Sequence, residues 1–135
     1  MQLNPYLTFN GQCEAAFKFY EKVFGGKIEA MMTYGSSPMA EQTQPQWRSK
    51  IMHARMSVGD NMLMASYAPP DRYEAMKGIM VTLGIDPGEA ERIFHALSEK
   101  GTVQMPIQET FWAARFGMLV DQFATPWMVN CEKPA

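Results

Sequence analysis

His53 and Arg55 stand two residues apart in the alternating run Lys50 to Val58, and Arg115 stands in a second such run, Ala114 to Val120. A titratable imidazole and a permanent cation on strand faces suit an anionic or carbonyl-bearing small ligand, because both donate hydrogen bonds to oxygen. An internal ion pair for Arg115, for instance with Glu109, is the alternative reading. Glu109 lies in the polar-aromatic segment Gln108-Glu109-Thr110-Phe111-Trp112. A carboxylate beside apolar rings holds its proton more tightly and can act as a base, so Glu109 is the candidate catalytic residue. Pairing with an arginine to order the loop is its competing role. Trp112 and Trp127 are candidate pocket walls, since indole offers a large apolar surface and one donor, or else core or dimer contacts. Trp47, in a polar loop, is a candidate lid or interface residue.

Cys13 falls near a helix N-terminus, where the helix dipole favours thiolate. A nucleophile also needs a base, and no histidine is near in sequence, so a buried inert thiol is expected for Cys13 and for Cys131. His95, the second of two histidines, flanks an apolar helical stripe and reads as a solvated residue.

The elements that position these groups are legible from periodicity. Asn4 to Phe9 reads as a short strand, with Pro5 confined to its start. Ala16, Phe19, Tyr20, Val23 and Phe24 give helical spacing over Glu14 to Phe24, stopped by Gly25-Gly26. Lys27 to Tyr34 is a strand, and Gly35 to Arg48, with its Ser, Pro and Gln, is a mobile loop by composition. Lys50 to Val58 and Met62 to Tyr67 pair across a turn at Gly59-Asp60-Asn61. Module one thus spans 1–67, and 68–77, with Ala68-Pro69-Pro70-Asp71, is a linker.

Module two, 78–135, repeats the order. Ile79 to Ile85 is a strand, and Asp86-Pro87-Gly88-Glu89 combines an N-cap acid, proline at the first helical position and a capping-box glutamate. Ala90, Ile93, Phe94 and Leu97 form the helix stripe, closed by Gly101. Thr102 to Ile107, Ala114 to Val120 and Pro126 to Cys131 are strands. An offset of 75 places Phe19 on Phe94 and Gly26 on Gly101, and an offset of 62 places Met56 on Met118 and His53 on Arg115. Each module reads βαβββ, and neither buries its sheet alone, so the expectation is one α+β domain over 1–135. Strand phase then puts Met52, Ala54, Met56 and Val58, and Ala114, Phe116, Met118 and Val120, under the helices. His53, Arg55 and Ser57, with Arg115, Gly117 and Leu119, face the other way.

Composition narrows the function classes. Apolar residues are 47% and charged residues 19% of 135 residues, which is globular rather than disordered. The net charge of −2 comes with no basic cluster, so neither nucleic acid nor an anionic membrane is an expected partner. No apolar run approaches the ~18 residues that span a bilayer, and no signal peptide is evident. Two cysteines 118 residues apart form no C-x-x-C, so a reducing cytoplasm is expected. Thirteen methionines suit an adaptable pocket, though core packing accounts for most of them.

Taken together, Pro5-Tyr6-Leu7-Thr8-Phe9-Asn10-Gly11, Phe19-Tyr20-Glu21-Lys22-Val23-Phe24-Gly25-Gly26, Lys50-Ile51-Met52-His53-Ala54, Leu63-Met64-Ala65-Ser66, Gln108 to Trp112, Arg115-Phe116-Gly117 and Trp127-Met128-Val129-Asn130-Cys131 carry a resemblance. The chain resembles the PhnB-like branch of the vicinal oxygen chelate superfamily, which includes glyoxalase I, extradiol dioxygenases and bleomycin-resistance proteins. It departs from that pattern at Ala113, where Gly is usual, and in the turn Gln122-Phe123-Ala124-Thr125-Pro126, which lacks the common Gly. The resemblance implies two four-stranded sheets curling around a cup, usually in a homodimer, here of about 30 kDa, with the cup at or near the subunit contact. Limited core in a chain this short favours association as well.

In metalloenzymes of this kind the ligands come from the first and last strand of each module. The corresponding segments, Pro5 to Phe9, Met62 to Ser66, Ile79 to Gly84 and Pro126 to Asn130, contain no His, Glu, Asp or Cys, so no metal is expected. Some PhnB-like proteins carry the name of ubiquinone-pathway methyltransferases. No G-x-G-x-x-G follows a strand here, so that activity is not expected, and neither is a nucleotide cofactor. The expectation is a small-molecule-binding protein with His53, Arg55, Arg115, Glu109, Trp112 and Trp127 as contacts. A glyoxalase- or dioxygenase-type enzyme and a drug-sequestering resistance protein are the alternatives. The latter would want an acidic groove that a net charge of −2 scarcely supplies.

Overall fold

Leu7 and Phe9 are buried while Tyr6 is exposed, and this alternation opens the first strand, β1 (Tyr6–Phe9). A computed structural model describes residues 1–133. After β1 come α1 (Cys13–Phe24), β2 (Lys27–Thr33), β3 (Ile51–Val58) and β4 (Asn61–Tyr67). Then follow β5 (Val81–Leu83), α2 (Pro87–Ser98), β6 (Thr102–Gln108), β7 (Ala113–Val120) and β8 (Pro126–Glu132). The chain divides into two units, Met1–Glu74 and the part from Ala75 onward. Each unit is βαβββ.

The two sheets have the same topology. The first runs β1-β4-β3-β2 and the second β5-β8-β7-β6. The outer pairs β1–β4 and β5–β8 are parallel and the others antiparallel, so each sheet is mixed. A parallel pair needs a crossover, and in each unit the helix lies within it.

In the first unit α1 buries Cys13, Ala16, Phe17, Tyr20 and Val23. Phe17 replaces the expected Phe19, which is half-buried. Gly25, at φ 65°, ends the helix in the left-handed conformation that glycine tolerates. The next residue, Gly26, admits no side chain, since an added Cβ would lie 2.7 Å from the Ser57 carbonyl oxygen. Gly101 is the matching close approach, where an added Cβ would collide with the Val120 carbonyl oxygen and lie 2.9 Å from the Asp121 Cα. The segment read as a mobile loop instead carries two short 3-10 turns, Ala40–Gln42 and Pro45–Trp47. Its two ends are tied together just ahead of β3 by Tyr34 N–H to Lys50 O and Gly35 N–H to Arg48 O. Turn chemistry supplied by Ser, Thr and Pro orders what composition alone leaves open.

In the second unit α2 buries Ala90, Ile93, Phe94 and Leu97 as expected. The capping box does not form: Asp86 is the N-cap but makes no side-chain cap bond, and Glu89 pairs with Arg92 at 2.7 Å. Pairing fixes the repeat by register. Leu7, Ala65 and Ala54 make one cross-strand row, and Leu83, Val129 and Gly117 make its counterpart. Gly117, and not Phe116, therefore corresponds to Ala54. His53 corresponds to Phe116, so its expected equivalence with Arg115 is one residue out. In a strand the difference is a change of face.

Candidate functional site

The first sheet presents polar side chains on the face turned away from α1. Leu7, Phe9, Ala54, Met56 and Ala65 are buried beneath the helix, so Tyr6 and Thr8 of β1, His53 and Arg55 of β3, and Met64 and Ser66 of β4 lie on the other face. Register holds them in order: Tyr6 opposite Met64, Met64 opposite Arg55, Thr8 opposite Ser66, and His53 opposite Met32 of β2. The Tyr6 hydroxyl lies 3.3 Å from His53 Nδ1, and the two rings stack at 5.8 Å. Arg55 is exposed and makes no ion pair among the described residues. A phenol, an imidazole and a guanidinium on one sheet face can grip a carboxylate or a carbonyl oxygen.

The second sheet presents a different surface. The opposite face from α2 carries Thr82 of β5, Ala114, Phe116 and Met118 of β7, and Met128 and Asn130 of β8, with Phe116 opposite Asn130 and Met118 opposite Met128. Trp112 packs edge-on against Phe116 at 5.2 Å, and Phe111 packs edge-on against Trp112 at 4.8 Å. This face is largely apolar and aromatic, interrupted by the Asn130 amide, the Thr82 hydroxyl and Gln108 of β6, which pairs with Phe116.

Three expected contacts are elsewhere. Arg115 lies on the helix side of β7, where it pairs with Glu91 of α2. The expected phase of β7 is thus reversed. Gly117 and Leu119 also lie under α2, and an added Cβ on Gly117 would sit 2.6 Å from Phe94 Cε2. Both faces of β7 carry apolar residues, so alternation alone does not say which one the helix covers. Trp127 is 1% exposed and its indole N–H donates to Asp121 Oδ2 at 2.8 Å, so it is core rather than pocket wall. Glu109 pairs with Lys133 at 3.5 Å, not with an arginine, and its side chain is 70% exposed. The sheltered carboxylate that a base requires is not formed there. Trp112, nearly half exposed, remains beside the apolar face. Trp47 is half-buried at the end of the second 3-10 turn.

Two residues go beyond the expected set. Tyr6 is one, and its signal is the polar-apolar alternation Tyr6-Leu7-Thr8-Phe9. Asn130 is the other: its Oδ1 is buried and has no hydrogen-bond partner among the described residues. Both thiols are buried. Burial, helped by the neighbouring Glu14 charge, pushes Cys13 from 9.0 up to about 12, and burial raises Cys131 too. The helix dipole does not win at Cys13.

The donors do not fit a divalent ion. β1, β4 and β5 contain no His, Glu, Asp or Cys. Strand β8 runs on to include Cys131 and Glu132, but Cys131 is buried on the helix side opposite Arg115, and Glu132 lies at the exposed strand end. Among the described residues no three His, Cys, Asp or Glu side chains gather as a ligand set, whereas such an ion needs three or four protein donors. No helix among the described residues is long and apolar enough to cross a membrane.

Comparison with known proteins agrees with the topology. Residues 2–132 match the model of the glyoxalase/bleomycin resistance protein/dioxygenase superfamily. The protein YjdN of Escherichia coli (strain K12) is 31% identical over 142 residues, covering 98% of this chain and 97% of YjdN. The crystal structure of protein PA1353 from Pseudomonas aeruginosa matches with a TM-score of 0.90 at 50% identity, covering 99% of each chain. A PhnB protein from Bacillus cereus shares the fold, with a TM-score of 0.81 at 19% identity over 97% of this chain and 99% of that one.

Proposed function

The chain belongs to the glyoxalase/bleomycin resistance protein/dioxygenase superfamily, and on that premise we propose that it binds a small anionic or carbonyl-bearing molecule without the help of a metal ion. The observation that carries this reading is the Tyr6 hydroxyl 3.3 Å from His53 Nδ1 on the sheet face that also holds Arg55, which makes no ion pair among the described residues. Arg55 supplies the fixed charge, while Tyr6 and His53 supply donors whose arrangement depends on the imidazole tautomer. In this role the protein is a PhnB-like binding module of the cytoplasm, where two buried unpaired thiols are at home. It works as a homodimer. The exposed Val103 and Met105 on edge strand β6 support pairing with a second copy, since an apolar edge is a template for association.

Benzoate tests the reading, because it joins a carboxylate to a flat apolar body. Titration followed by NMR should show saturable binding to protein that elemental analysis finds free of stoichiometric Zn, Mn, Ni or Fe. Arg55→Ala should weaken that binding about tenfold, the scale of one charge-assisted contact. Benzoate binding that Arg55→Ala and Tyr6→Phe both leave unchanged, or about one tightly held metal per chain, would overturn it. Light scattering should give about 30 kDa at micromolar concentration, twice the chain mass; a monomeric mass throughout a dilution series would remove the dimer.

A further inference from the structure

We infer that Asn130 is a ligand-binding residue, and that its side-chain carbonyl recognises an O–H or N–H donor carried by a flat apolar molecule. This inference rests on the small-molecule-binding reading and adds the chemistry of the second sheet face to it. Among the described residues Asn130 Oδ1 is the one buried side-chain nitrogen or oxygen without a hydrogen-bond partner. A buried acceptor left unmade costs free energy, so one that remains unpaired in the protein alone calls for a partner from outside it. Its surroundings say what kind. Asn130 faces Phe116 across the β7–β8 ladder, and Met128 and Met118 form the next pair on that side of the sheet. Trp112 lies edge-on to Phe116. Rings and thioethers of this kind hold flat apolar bodies.

The sequence context removes the simplest structural role. Asn130 sits inside β8, where its backbone already pairs with β7, so the side chain caps no helix and closes no turn. Asparagine is also a poor strand former. An aliphatic residue at this position would relieve the orphaned oxygen and suit a strand better. The amide therefore weakens the fold locally, which is the pattern of a residue kept for binding.

Phenol and anisole test this directly, because they share the ring and differ in the donor. NMR titration should show phenol binding about tenfold more tightly than anisole, the scale of one hydrogen bond that satisfies a buried acceptor. Asn130→Leu should abolish that preference while leaving the melting temperature equal or higher. Asn130→Ala, which adds no bulk, should abolish it too and guards against simple occlusion by leucine. Equal binding of phenol and anisole to the unaltered protein would overturn the inference and leave the benzoate result standing. So would a preference that survives in both variants, or a fall of several degrees in the melting temperature of Asn130→Leu, which would mark the amide as structural. Binding of neither probe overturns it also, and the benzoate titration then decides the wider reading by itself.

Discussion

Trp127 and Asp121 hold the β7–β8 turn together from inside. The indole N–H donates to Asp121 Oδ2 at 2.8 Å, and Asp121 Oδ1 accepts from the backbone N–H of Phe123 at 2.8 Å and of Thr125 at 3.0 Å. Both side chains are almost wholly buried. A buried carboxylate is tolerated when its oxygens are met by donors, and here one acid meets the turn backbone and the largest core side chain together.

Asp121→Ala should therefore destabilise the protein by about 3 kcal/mol, since it removes three bonds to a buried carboxylate. Trp127→Phe should cost about 2 kcal/mol by removing the buried indole N–H that donates to Asp121 Oδ2. Urea denaturation measures both. A loss below ~0.5 kcal/mol for Asp121→Ala, the range of ordinary surface substitutions, would show that the turn is held some other way.

The same turn contains a strained residue. Ala124 has φ 71°, the left-handed region that costs a residue with a Cβ about 1 kcal/mol. Ala124→Gly should relieve the strain but loosen the unfolded chain, with a net stabilisation of a few tenths to ~1 kcal/mol. The melting temperature should rise by a few degrees; a fall would mean that the Ala124 methyl packs usefully.

The modules, both helices and the element order were legible because periodicity and glycine stops are local signals. Leu97 and Phe94 announce the buried stripe of α2, and Gly25-Gly26 and Gly101 announce the helix ends. What was not legible depends on partners distant in sequence. Arg115 reads as a strand residue facing a ligand, and only the approach of α2, which brings Glu91 to it, reverses that face. Trp127 reads as a pocket wall until Asp121 takes its N–H. Half of the candidate site was readable: His53 and Arg55 share a face because alternation in β3 is unambiguous. Asn130 gave no local sign, since an unmet acceptor is visible only once its surroundings are packed.

Cys13 makes stability depend on alkaline pH. Its thiol is held protonated up to about 12 in the folded chain, against an ordinary 9.0. Below pH 9 both states carry the proton and the group contributes no slope. Above pH 9 the unfolded chain loses the proton while the folded one keeps it, so stability falls by up to about 1.4 kcal/mol per pH unit until pH 12. Urea midpoints should drop less steeply between pH 8.5 and 10.5 for Cys13→Ala than for the unaltered protein. Parallel slopes would refute this. Iodoacetamide at pH 8 should leave Cys13 unmodified in native protein and label it in urea.

Gly117 tests the register that reverses the face of β7. A methyl there would meet Phe94 Cε2 at 2.6 Å and the Ile107 Cα at 3.0 Å. The phenylalanine ring can turn, but the Ile107 backbone in β6 cannot easily retreat. Gly117→Ala should therefore cost about 2 kcal/mol by overpacking. Phe94→Leu removes the ring atoms and should recover about half of that cost, leaving the part due to Ile107. The double-mutant cycle should then give a coupling of about 1 kcal/mol, as for residues in contact. Strictly additive losses would show that Gly117 does not lie beneath Phe94, and would return Arg115, which shares its strand face, to the side away from α2.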